Sequence, residues 1–109
     1  MTVERLILLS GFSPVCIPSP EKEVKGAYVG DLLSWVMGRA EPGNAWITIM
    51  SNINVTAVAT LADISCVILA EGVTLDENAL EAAKTKGINV VSSPLTSYEV
   101  AVKISGIIS

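Results

Sequence analysis

From Trp46 onward the apolar positions of the chain fall into two alternating rhythms. Trp46-Ile47-Thr48-Ile49-Met50 is β-branched and aromatic, as a strand requires. Val55, Val58, Ala59 and Ala62 then recur at helical spacing, with Asn54 placed as an N-cap. Ile64 to Ala70 is a nearly continuous apolar run, which predicts a strand covered on both faces. Thr74 and Glu77 stand at capping-box spacing ahead of a helix whose Leu80 and Ala83 face inward. Lys84 and Lys86 lie near the negative end of that helix, and Gly87 suits the left-handed residue that closes it. Ile88 to Val91 predicts a short strand. Thr96 and Glu99 repeat the capping-box spacing, and Ala101, Ile104 and Ile108 form the stripe of a terminal helix.

The first half is less regular. Residues 2–9 predict a short helix, and Val15-Cys16-Ile17 a short strand between Pro14 and Pro18. Residues 19–22 read as a turn and residues 24–29 as a strand. Asp31 is placed to cap a helix reaching about Met37, and Pro42-Gly43-Asn44 is a loop. This alternation predicts an α/β fold: a single domain, residues 1–109, with a mostly parallel sheet of about five strands flanked by helices.

Composition adds self-association. Half of the 109 residues are apolar and 17% are charged, against a usual charged share of about 25%. A small domain this apolar cannot hide all of it, and large exposed apolar patches mark partner surfaces; a homodimer is expected. The net charge is −4, and seven Lys and Arg are spread along the chain. Nucleic-acid binding needs them clustered, so it is set aside. The apolar run Leu6-Ile7-Leu8-Leu9 is too short to span a membrane, so no membrane partner and a cytoplasmic location are expected. Cys16 and Cys66 read as reduced, buried thiols. There is no histidine and no metal-ligand spacing, so no metal or cofactor is expected.

The segment Val24-Lys25-Gly26-Ala27-Tyr28-Val29-Gly30-Asp31-Leu32-Leu33-Ser34 joins Trp46-Ile47-Thr48-Ile49, Ala57-Val58-Ala59 and the ending Ser92-Ser93-Pro94-Leu95-Thr96-Ser97-Tyr98-Glu99-Val100-Ala101. Together they resemble the DRTGG domain, from about Leu6 to Ile107. That family is similar to the N-terminal domain of HPr kinase/phosphorylase, and related domains occur in phosphotransacetylases and beside paired CBS domains. The resemblance implies an α/β fold and a regulatory, ligand-sensing role. The chain departs from the family pattern at Gly26-Ala27, where the family has paired glycines, and at Ser51-Asn52-Ile53-Asn54, where many members carry a His.

Two groups of residues are candidate ligand contacts. Gly26 and Gly30, with Tyr28 between them, allow close backbone approach beside a helix start, or simply a tight turn. Thr48, Ser51, Asn52, Glu71, Gly72, Ser92 and Ser93 follow the predicted strands, where open parallel sheets bind ligands. Trp35 and Trp46 are expected in core or interface packing. With no phosphate loop and no histidine base, no catalytic residue is assigned. The expected function is a non-catalytic regulatory module for a small polar ligand or a protein partner. The alternatives are a structural docking subunit and a phosphotransferase.

Overall fold

The computed structural model describes residues 1–108. Its strands are β1 (Ser13–Cys16), β2 (Gly26–Val29), β3 (Asn44–Thr48), β4 (Cys66–Leu69) and β5 (Val90–Ser92). They form one sheet in the order β1-β5-β4-β3-β2. β2 to β5 are parallel, and β1 joins β5 antiparallel. The helices are α1 (Val3–Leu6), α2 (Leu33–Arg39), α3 (Asn54–Leu61), α4 (Glu77–Lys86) and α5 (Ser97–Ser105). The expected α/β fold with a mostly parallel five-stranded sheet is therefore the observed one.

Alternation along the strands sends side chains to two apolar layers. Ala45, Ile47, Cys66, Ile68 and Val91 pack against Val3 and Leu6 of α1 and Val100 and Ile104 of α5. Trp46, Val67, Leu69 and Val90 pack on the other face against Val36, Val55, Val58, Ala59 and Ala83, so α2, α3 and α4 share that side. β3 and β4 are buried throughout because both faces are covered. Burial pushes the Cys66 thiol up to about 12 and also raises that of Cys16; both cysteines are free.

Local chemistry sets the helix ends. At α5 the Thr96 hydroxyl accepts from Glu99 N–H (3.1 Å) and Glu99 accepts from Thr96 N–H (3.0 Å), the expected capping box. Those bonds hold the Glu99 carboxyl below its ordinary value. Gly87 ends α4 at φ +73°, where a Cβ would strain the backbone.

Three expected caps are displaced. α4 begins at Glu77 with Asp76 at its cap, not at Thr74, because Asp76 N–H donates to the Ser51 carbonyl (2.9 Å) and fixes the entry there. Asn54 is the first residue of α3, not its cap; the Asn52 side chain accepts from its N–H (2.9 Å) instead. Asp31 does not cap α2, whose cap position is Leu32; its carboxylate is engaged by β3, as described below.

Candidate functional site

Gly30 carries the β2–β3 pairing one step beyond the strand, its N–H donating to the Ile47 carbonyl (3.1 Å). Its own carbonyl accepts from the fully buried Trp46 indole (2.8 Å). Tyr28 lies opposite Trp46 in register, and a Cβ at Gly30 would come within 3.0 Å of the Tyr28 ring. A side chain at 30 would thus press on that ring. The Asp31 carboxylate follows immediately. One oxygen accepts from the Thr48 hydroxyl (2.7 Å) and from Ile49 N–H (3.0 Å), tying the β2–α2 loop to the end of β3.

Thr48 is buried, and its oxygen also accepts from Met50 N–H (3.1 Å). Beyond it the chain turns into α3 through Ser51 and Asn52, both half-buried. The N–H groups of Ser51, Asn52 and Ile53 find no acceptor among the described residues.

The ends of β4 and β5 are tied to each other. Glu71 and Gly72 both take left-handed backbone, φ +60° and +70°. Their N–H groups donate to the Leu95 (2.8 Å) and Ser93 (2.9 Å) carbonyls. Ser93 is buried, and its hydroxyl accepts from Leu95 N–H (3.2 Å). Ser92 is half-buried and pairs with Ser13 of β1.

Gly30, Thr48, Ser51, Asn52, Glu71, Gly72, Ser92 and Ser93 therefore lie along one rim, at the carboxyl ends of the parallel strands. Thr48 pairs with Leu69 and Leu69 with Ser92, so Thr48 and Ser92 stand roughly 10 Å apart at ordinary strand spacing. Gly26 is not among them: it begins β2 at the opposite end, beside the Asn44 amide. Tyr28 faces the α2 layer. Along the rim the Thr48 hydroxyl is taken up by the Asp31 carboxylate and Met50 N–H, and the Ser93 hydroxyl by Leu95 N–H. What remains outward is the Ser51–Ile53 turn with two exposed carboxylates, Asp31 and Glu71.

Sequence reasoning gave Asp31 a capping role, and its link to Thr48 spans 17 positions, a separation no local pattern reveals. The open amides before α3 were equally hidden, since no local pattern shows which loop N–H groups lack an acceptor. A second feature lies at the far end of the strands. There a cavity of about 280 Å³ carries Lys22 and Lys25 together with Glu23 and Asp63, so its charges offset one another.

No curated protein matches the chain. Among solved structures, the CBS and DRTGG domains of the regulatory region of Clostridium perfringens pyrophosphatase, complexed with the activator diadenosine tetraphosphate, share its fold. That match has a TM-score of 0.65 at 19% identity, over 84% of this chain and 40% of the other; this chain thus spans well under half of that one. The match of the DRTGG domain to residues 20–107, over the same β2–α5 frame that builds the rim, shows that the chain belongs to the DRTGG domain family.

Proposed function

We propose that the chain is a non-catalytic regulatory module, a single DRTGG unit over residues 1–109 working as a homodimer in the cytoplasm. Its ligand is small and polar and binds at the rim where the parallel strands end. One observation carries the reading: three successive N–H groups, Ser51 to Ile53, stand open between the Asp31 and Glu71 carboxylates. The N–H groups donate to an anionic or carbonyl group, and the carboxylates accept from hydroxyl or amino donors. A sugar or nucleoside bearing a phosphate offers both. The likeness to a regulatory region complexed with a dinucleotide activator supports that ligand class. Absence of a histidine and of a phosphate loop favours binding over turnover.

A thermal-shift screen against nucleotides and phosphorylated sugars tests this, because a ligand held only by the folded state raises apparent stability. Glu71→Gly separates binding from folding, since φ +60° suits glycine. The expected result is an unchanged melting temperature for this variant alone and a lost ligand shift. A full ligand shift in Glu71→Gly would move the site elsewhere.

The docking-subunit alternative draws on exposed apolar side chains, among them Trp35 and Tyr98. Co-purification with an enzyme, without any small-molecule shift, would favour it.

A further inference from the structure

We infer that two copies of the chain join along the outer edge of β2, antiparallel about Tyr28, so that two five-stranded sheets become one. This rests on the self-association in the reading above and adds the surface and the register.

The two edges of the sheet differ. β1 is guarded: Pro14 removes a donor, and the register slips between Pro14 and Cys16. β2 has neither device. Its four residues, Gly-Ala-Tyr-Val, hold regular register against β3 and include no proline and no charge. Its outer edge therefore presents unpaired N–H and C=O groups, a template for another strand.

The surface bordering that edge is apolar. Val29 is 49% exposed, Leu32 59%, Trp35 52% and Met37 49%. α2 itself buries only Val36. Arg39 lies over the Trp35 ring at 3.7 Å. Trp, Met and Arg are the residues enriched at the centres of protein interfaces.

Register suits this uncharged edge to a second copy. With Tyr28 opposite itself, Ala27 faces the partner's Val29, Gly26 the partner's Gly30, and Lys25 the partner's Asp31. Lys25 and Asp31, the charges that flank the strand, are of opposite sign, so the two-fold sets no like charges against each other at either end of the new pair, while the Asp31 carboxylate stays with Thr48 and Ile49. Shifting the register by one step either way sets Lys25 against Val29 or Leu33, and this match is lost.

The test is solution mass combined with cross-linking. Directly opposed residues in antiparallel strands have Cα atoms roughly 5 Å apart, within disulfide range. Tyr28→Cys is expected to give a covalent dimer under mild oxidation, and Tyr98→Cys to give none. The native cysteines are buried and give little background. Val29→Lys, which installs an edge guard without touching the core, is expected to weaken the dimer by about tenfold or more. A dimer that survives Val29→Lys and does not cross-link at position 28 overturns the β2 edge and leaves self-association standing. A wild-type chain that stays monomeric at the highest concentration attained overturns both.

Discussion

At the scale of single residues, Asp31 organises the rim. Its one oxygen holds a buried hydroxyl and a backbone amide of the neighbouring strand end. Asp31→Ala strands the Thr48 hydroxyl away from water and is expected to cost about 1–3 kcal/mol by urea denaturation. Asp31→Asn keeps the acceptor and should recover most of that. Equal loss in both variants would mean that the negative charge itself is needed. Cys66 makes a second prediction. Its thiol titrates near 12 in the folded chain against an ordinary 9.0, so between those values the unfolded chain has released a proton that the folded chain retains. Stability is unaffected below about pH 9 and falls as pH climbs toward 12, by up to about 1.4 kcal/mol per unit. Cys66→Ala should flatten that part of the alkaline profile.

At the scale of elements, caps decide where helices start and stop. Thr96→Ala removes one half of the α5 box and is expected to cost about 1 kcal/mol in thermal unfolding. Gly87→Ala should cost about 1–2 kcal/mol, because alanine must then hold the left-handed conformation that ends α4. These two sites were legible in the sequence because their bonds are local: Thr96 and Glu99 are three residues apart, and Gly87 acts on its own backbone. Thr74, Asn54 and Asp31 misled for the opposite reason. Each has a capping side chain at a suitable spacing. Yet a bond between elements set the true boundary at two of them: Asp76 to Ser51 and Asp31 to Thr48. β3 and β4 were visible as apolar runs because both faces are covered. β5 was placed early, at Ile88 rather than Val90, because Ile88 is buried just outside the strand.

At the scale of the molecule, β2 to β5 follow one another across the sheet with α2, α3 and α4 on one side. Strand order never reverses among them, so no crevice opens of the kind that marks ligand sites in doubly wound sheets. That is why listing residues after strands recovered the rim and not its shape. Two of the named hydroxyls, Thr48 and Ser93, are taken up by neighbouring groups, and the open N–H groups lie before α3. For a dimer joined along β2, the apparent melting temperature is expected to rise with chain concentration and to become independent of it in Val29→Lys. A wild-type value that does not move with dilution would mean that the folded chain gains nothing from a second copy.

β1 and β5 are neighbours in space but far apart in sequence, with Ser13 paired to Ser92. Synthesis runs from the N-terminus, so β1 leaves the ribosome well before its partner β5. Until β5 emerges, that strand is an orphan open to pairing with a stray chain. Pro14 sits in that waiting strand, and the guard serves the nascent polypeptide before it serves the finished protein.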